Sequence, residues 1–341
     1  MVRIESVPQA VELAMNQGLR AKGRTSPNPP VGAVLIDDRG EVVGVGRTQP
    51  VGGAHAEVMA LRAAGPAARG ATAVVTLEPC AHTGRTGPCT QALLDAGIAR
   101  LIYVHSDPNP VASGGAEFLA ERGVEVAHTA PVPGIEDALV PWLGATRLGR
   151  PHVTLKFAQT LDGFTAAADG TSQWITGEAA RAAVHEDRAR RDAILIGTGT
   201  ALADNPSLTA RRPDGTLCDT QPRRVVVGSR DIAAAGDATS NLQRLGAEQY
   251  PDIATALDSL WESGARDVLV EGGAGLASAF VEADLVDAIQ AYIAPTLLGA
   301  GRGVLAHPVA QTLADAARFE LAGIRQAGGD VLLELRRQRV R

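Results

Sequence analysis

His55, Glu57, Cys80 and Cys89 are the residues of this 341-residue chain whose types and spacing suit metal chemistry. They lie in His55-Ala56-Glu57 and in Pro79-Cys80 and Pro88-Cys89. One imidazole and two thiols can hold a zinc ion and leave the fourth tetrahedral position to water. A carboxylate two residues past the imidazole can then move protons to and from that water. A closed structural site would need a fourth protein ligand. His82 is placed for that, but Glu57 would then have no role. The open, hydrolytic reading takes His55, Cys80 and Cys89 as ligands and Glu57 as the acid–base. His82 and Arg85, between the cysteines, are read as substrate contacts able to donate to an oxyanion.

The elements around these residues fit that placement. Val11, Met15 and Leu19 share one helix face. Thr25-Ser26-Pro27-Asn28-Pro29-Pro30 cannot be helix or central strand, because its three prolines lack donors and fix φ. It is a rigid loop presenting Asn28. Val31 to Ile36 and Val42 to Gly46 read as a hairpin about Asp37-Asp38-Arg39-Gly40. A helix opens at His55, which puts His55 and Glu57 at its start. Ala71 to Leu77 is a buried strand, and Glu78-Pro79-Cys80 follows it directly, where α/β sheets build their sites. The order His-x-Glu, Pro-Cys, Cys is that of zinc-dependent deaminases, except that the cysteines stand nine positions apart rather than three. Helices from Cys89 and Gly114 alternate with strands at Leu101 to His105 and Val124 to Ala127, which implies a three-layer α/β domain.

A boundary is expected near Leu148 to Pro151, giving domains 1–148 and 151–341. The second half restarts with a strand at His152 to Gln159 and a helix from Glu178. Two glycine-bearing turns follow strands. One is a loop from Thr198 to Pro206 after Ala193 to Gly197; the other is Glu271-Gly272-Gly273-Ala274-Gly275 after Asp267 to Val270. Both suit close approach of a phosphate to backbone N–H groups. Ser229-Arg230, at the end of the strand Arg224 to Val227, could read a 2′-phosphate and so favour NADP. Lys156, Arg188 and Arg211 could hold a second phosphate. Trp174 is either core filling or a wall over a flat ring. The last strands expected are Ala288 to Ile293 and Val331 to Leu335.

Composition narrows the class. Hydrophobic residues make up 45% of the chain and the net charge is −6, which speaks against a nucleic-acid binder held by phosphate contacts. The amino-terminal stretch lacks the apolar core of a signal peptide, and no run of 18 apolar residues occurs to span a membrane. Three sparse cysteines, Cys80, Cys89 and Cys218, fit a reducing cytoplasm and metal ligation better than a disulfide framework.

With both halves read, the sequence resembles the bifunctional deaminase/reductase family of riboflavin biosynthesis. The resemblance rests on Thr25-Ser26-Pro27-Asn28-Pro29, His55-Ala56-Glu57, Glu78-Pro79-Cys80, Pro88-Cys89, Lys156 with Leu161-Asp162-Gly163, Ser172-Gln173-Trp174-Ile175-Thr176, Thr200 with Ala203-Asp204, and Glu271-Gly272-Gly273. It implies an amino-terminal three-layer α/β/α domain similar to cytidine deaminases and a carboxy-terminal α/β domain resembling dihydrofolate reductase. The first would use Zn²⁺ to deaminate a diaminopyrimidine ribosylamine 5′-phosphate. The second would use NADPH to reduce its ribosyl group to ribityl. Lys156, Ser172, Arg188, Leu208, Arg211 and Glu271 match substrate-side positions. Ala158, Trp174, Thr200, Asp204, Ser229, Arg230, Gly272 and Gly273 match cofactor-side positions. The resemblance also implies a homodimer or homotetramer, with no nucleic-acid or membrane partner. Three departures stand out. Thr48 occupies a position where many relatives have histidine, Gly87 replaces a common proline, and residues 232–252 lack the expected apolar strand. Two rival readings are a free-nucleoside deaminase fused to an unrelated reductase and a zinc-stabilised nucleotide-binding regulator; the latter has no use for Glu57.

Overall fold

The computed structural model describes residues 2–81 and 87–338 and divides into two compact units, Met1–Gly149 and Arg150–Arg341. The first runs α1 (Val7–Ala21), β1 (Gly32–Ile36), β2 (Val42–Arg47), α2 (Ala56–Ala64), β3 (Thr72–Leu77), α3 (Cys89–Asp95), β4 (Arg100–His105), α4 (Gly115–Ala120), β5 (Glu125–His128) and α5 (Leu139–Leu148). Its sheet has the order β2-β1-β3-β4-β5. β1 is antiparallel to β2 and β3, and β3, β4 and β5 are parallel.

Strand alternation explains the three layers, since successive side chains point to opposite faces. Leu35, Val75 and Leu101 pack with Ala60 of α2 and Leu93 of α3 on one face. Val34, Val74 and Ile102 pack with Val11, Ala14 and Met15 of α1 on the other. Burial on both faces is why these strands read as continuous apolar runs. Two glycines permit the close packing of the helices. A Cβ at Gly46 would lie 2.1 Å from the Ala56 carbonyl, and one at Gly32 would lie 1.9 Å from the Ala14 carbonyl.

Hydrogen bonds then fix one end of this sheet. The Gly32 N–H donates to Thr76 Oγ1 at 3.1 Å, so β1 begins where β3 ends. Buried Thr48 accepts the Val31 N–H on its Oγ1 at 3.1 Å. The indole N–H of Trp142 donates to the Pro27 carbonyl at 2.9 Å. The loop carrying Asn28 is therefore pinned from β2, β3 and α5.

The second unit comprises β6 (His152–Thr160), β7 (Phe164–Ala167), α6 (Glu178–Arg188), β8 (Ala193–Gly197), α7 (Thr198–Asp204), β9 (Arg223–Val227), α8 (Ser240–Leu245), β10 (Ala247–Tyr250), α9 (Ile253–Glu262), β11 (Asp267–Glu271), α10 (Ala274–Glu282), β12 (Ala288–Ala294), β13 (Gly301–Gly303), β14 (Phe319–Ala327) and β15 (Asp330–Arg337). An eight-stranded sheet has the order β10-β9-β8-β11-β6-β12-β15-β14, and β13 and β7 form a separate ribbon. Neighbours from β10 to β12 are parallel; β15 and β14 join antiparallel. Among the described residues no helix is long and apolar enough to cross a membrane.

Several expectations change here. The stretch after β8 is not a loop: Thr198–Asp204 forms α7, seated on Ala201, which is buried under the sheet. Residues 232–252 do contain a strand, β10. It is an edge strand, so half-burial suffices and Glu248 and Gln249 serve in place of apolar residues. β14 carries no apolar signal for the same reason: it is the opposite edge, and most of its side chains are exposed. The short ribbon strands β7 and β13 also carry no apolar run.

Arg150, the first residue of this unit, makes a two-pronged pair with buried Asp287, at 2.7 and 2.9 Å. Asp287 also accepts the Val153 N–H at 2.9 Å. Burial alone would raise the Asp287 pKa, but the Arg150 bonds, His152 and the Val153 N–H outweigh it and hold the carboxyl below its ordinary range. Asp287→Asn is expected to destabilise the second unit by about 3 kcal/mol. The folded-state pKa is depressed, so the native stabilisation is present above about pH 4 and fades as the pH falls below it. Urea unfolding at pH 7 and at pH 3.5 checks this. A wild-type midpoint for the variant at pH 7 would contradict it.

Candidate functional site

α2 starts where β2 has ended, with His55 as its N-cap residue and Glu57 in its first turn. β3 ends at Leu77, and Cys80 follows three residues on. Cys89 is the first residue of α3. These three elements bring His55 Nδ1 to 3.2 Å from Cys89 Sγ and 3.7 Å from Cys80 Sγ. All three donor atoms lie within 4.8 Å of one another, the one such group among the described residues. Zinc bonds of 2.0–2.3 Å in a tetrahedron would separate ligand atoms by about 3.4–3.8 Å, so the donor set and its spacing fit zinc.

The electrostatics suit a dication. The Cys89 N–H donates to Cys80 Sγ at 3.4 Å. The hydrogen bond from the Cys89 thiol, followed by His55, holds the Cys80 thiol down to about 4. The same shared hydrogen bond, with burial, pushes Cys89 up. Metal binding would release the remaining thiol proton, since thiolates are the ligand form. Burial pushes the Glu57 carboxyl up to about 7, with the Cys80 charge adding to it. A carboxyl poised near neutrality can both take up and give back a proton.

Asn28 is half-buried on its pinned loop, which enters the sheet beside the end of β3. Thr48 is committed to that loop through Val31. His82 and Arg85 lie outside the described residues. Gly87 has open space around its Cα. One polar residue in this region had no assigned role in the sequence: Glu78, buried, accepts the N–H groups of Asp107, Gly114 and Ala116. A buried carboxylate between an apolar strand and Pro-Cys is itself the signal, because buried charge demands partners.

The second unit has two adjoining clefts at the ends of its parallel strands. Lys156, Ala158, Ser172, Arg188, Thr200, Asp204, Leu208, Glu271, Gly272 and Gly273 all line one of them. Trp174 and Arg211 line the other, which shares Lys156, Ala158, Ser172 and Arg188. Ser229 and Arg230 belong to neither lining. They sit beyond β9, where Arg230 Nε donates to Thr198 Oγ1 at 3.3 Å, at the start of α7. Trp174 is 70% exposed, hence not core filling, and the Arg181 guanidinium stacks on its ring at 4.7 Å.

Glu271 organises the cleft floor. It accepts two bonds from Arg188, both 2.7 Å, and faces Lys156 Nζ at 3.8 Å. Although burial opposes ionisation, Arg188 and then Lys156 hold Glu271 down to about 2. Two cations thus converge on one carboxylate, although burial pulls the Lys156 pKa below its ordinary value. Arg188 is already bound by Glu271 and the Thr209 carbonyl, so Lys156 is the cation with capacity to spare. Directly after Glu271, Gly272 and Gly273 have φ of +87° and +79°, which only glycine adopts without strain. A Cβ at Gly273 would lie 2.8 Å from Thr200 Oγ1. The Gly272-Gly273 turn thus meets the first turn of α7 and offers bare backbone before α10, a fit for a dinucleotide phosphate.

Two family models match separate stretches of the chain. The family "RibD C-terminal domain" matches residues 151–333, and "Cytidine and deoxycytidylate deaminase zinc-binding region" matches residues 5–105. The chain is 65% identical over 307 residues to riboflavin biosynthesis protein RibD of Corynebacterium ammoniagenes, covering 90% of this chain and 91% of that one. It is 44% identical over 334 residues to RibD of Mycobacterium tuberculosis, covering 98% of each. Among solved structures, the diaminohydroxyphosphoribosylaminopyrimidine deaminase/5-amino-6-(5-phosphoribosylamino)uracil reductase of Thermotoga maritima superposes with a TM-score of 0.85 at 31% identity, covering 97% of this chain and 98% of that one.

The metal site generates a direct test. Cys80→Ser and Cys89→Ser are each expected to remove stoichiometric zinc, whereas Glu57→Gln retains it. Metal analysis after dialysis reads the result, and a full zinc complement in either cysteine variant would refute the ligand set.

Proposed function

The chain belongs to the RibD family of riboflavin biosynthesis proteins, and on that premise we propose how its two units divide the two reactions. The protein is a bifunctional enzyme. Residues 1–148 carry the zinc-dependent hydrolytic deamination of 2,5-diamino-6-ribosylamino-4(3H)-pyrimidinone 5′-phosphate. Residues 151–341 carry the NADPH-dependent reduction of the ribosyl side chain, giving 5-amino-6-ribitylamino-2,4(1H,3H)-pyrimidinedione 5′-phosphate. The observation that carries the first assignment is the convergence of His55, Cys80 and Cys89 beside a buried Glu57.

His55, Cys80 and Cys89 would hold the zinc ion, which supplies Lewis acidity toward water and substrate. Glu57 takes a proton from the attacking water and delivers it to a ring nitrogen; it then takes the hydroxyl proton of the tetrahedral carbon adduct and passes it to the amine, which departs as ammonia while the carbonyl forms. Its near-neutral carboxyl suits both directions of transfer. Asn28, His82 and Arg85 orient the pyrimidine and its phosphate. In the second unit NADPH supplies hydride, and the protein's part is positioning. Gly272, Gly273, Thr200, Asp204, Ala158 and Trp174 flank the dinucleotide, with Ser229 and Arg230 toward its 2′-phosphate. Lys156, Ser172, Leu208, Arg211 and the Arg188–Glu271 pair hold the sugar phosphate.

The protein is read as a cytoplasmic homodimer or homotetramer. Its support is the outer edge of the larger sheet, where Leu321 and Ile324 of β14 are 59% and 62% exposed. They lie opposite Leu335 and Leu333 of β15 and so share a face with them. A second copy of the chain would cover these side chains.

Glu57→Gln is expected to lower deaminase kcat by at least 100-fold while NADPH oxidation with the deaminated substrate persists. Ammonia release at the wild-type rate would sink the mechanism. Lys156→Ala should damage the reductase alone; collapse of deamination in the folded variant would overturn the assignment of units. Leu321→Glu combined with Ile324→Glu should yield monomers in sedimentation analysis, and an unchanged mass would move the interface elsewhere.

A further inference from the structure

The turn that aims Cys80 is not held by its own strand alone. Glu78 is buried, and its carboxylate accepts three main-chain N–H groups: Gly114 at 3.1 Å and Ala116 at 3.0 Å on Oε1, and Asp107 at 3.3 Å on Oε2. These donors all lie in the stretch from β4 to the start of α4. One carboxylate thus gathers this stretch onto the end of β3. Charge-assisted bonds to N–H groups are about twice as strong as neutral ones.

The gathered stretch then touches the Cys80 turn directly. A Cβ on Gly115 would lie 1.8 Å from the Pro79 carbonyl oxygen, so backbone packs on backbone with no space for a side chain. The Ala81 N–H donates to the Ala112 carbonyl at 3.3 Å. From the other side, Thr90 Oγ1 and the Thr90 N–H both donate to the Cys80 carbonyl at 3.3 Å. The residues before and after Cys80 are therefore fixed by one segment, and Cys80 itself by the start of α3, which also carries Cys89.

We propose that Glu78 is a positioning residue for the metal centre: by clasping residues 107–116 it presets Cys80 Sγ at its ligand position, with Thr90 completing the cradle. This rests on the zinc reading above and extends it to residues that touch neither metal nor substrate. Outer partners of metal ligands commonly contribute 10- to 100-fold to metal affinity. Glu78→Gln keeps the shape, but it loses the charge and turns an N–H donor toward one of the three main-chain donors. Thr90→Val removes one hydroxyl bond to Cys80 without changing volume.

The test is a competition titration of the metal-free full chain with zinc against a chromophoric chelator, paired with cobalt substitution. Wild-type protein must first show the thiolate-to-cobalt charge-transfer band; its absence would defeat the zinc reading itself, separately from Glu78. Given that band, Glu78→Gln is expected to bind zinc 10- to 100-fold more weakly with an altered cobalt spectrum, and Thr90→Val about threefold more weakly. A purely structural role would lower the melting temperature of the first unit and leave metal affinity and cobalt spectrum unchanged; that result overturns the proposal. If Glu78→Gln does not fold, Thr90→Val decides: weakened zinc binding supports the cradle, and wild-type affinity refutes it.

Discussion

A sheet buried on both faces can expose polar chemistry only where its strands stop. In the first unit Val34, Val74 and Ile102 face one helical layer while Leu35, Val75 and Leu101 face the other. No position along β3 is left for a ligand. The thiol comes instead three residues past its end, and the imidazole at the start of α2. In the second unit Glu271 ends β11 beside Lys156, which lies midway along the longer β6 and so faces the cleft that opens where β11 stops. Helix and strand termini are where unpaired backbone groups and charges can be tolerated together.

Holding charge at such termini requires compensation. Glu271 stays ionised under burial because Arg188 from α6 and Lys156 from β6 converge on it. Three residues further along the chain, Arg191 does the same for the start of β11: it bonds Asp267 at 2.7 Å and Asp187 at 2.9 Å. The helix is thus clamped to one strand at two levels. The level nearer the cleft lines it, and the deeper one is closed off from it. A buried pair of this kind contributes little net stability, but removing one partner is costly, which keeps both levels intact.

What was legible in the sequence follows the same physics. His55, Glu57, Cys80 and Cys89 could be read because metal chemistry restricts residue type and spacing. β1, β3, β8 and β11 could be read because burial on both faces leaves an uninterrupted apolar run. β10 and β14 could not, since an edge strand needs no such run; Gln249 and Glu248 are as acceptable there as valine. α7 was hidden by its opening Thr-Gly-Thr, which suits a turn equally well until Ala201 finds its place beneath the sheet. Glu78 belongs to a recognisable Glu-Pro-Cys motif, but its three backbone partners lie about 30 to 40 residues further on, a distance no local pattern conveys.

The Trp142–Pro27 hydrogen bond joins residues 115 apart in the chain. On a ribosome those residues are made at different times. At roughly 5–20 residues per second, the Asn28 loop emerges on the order of ten seconds before the indole that holds it. The zinc ligands are complete once Cys89 has been made, well before α5. An ion can therefore be held before the Asn28 loop is fastened. The order of residues along the chain thereby permits an order of assembly in which the ligands are made first and the tryptophan later.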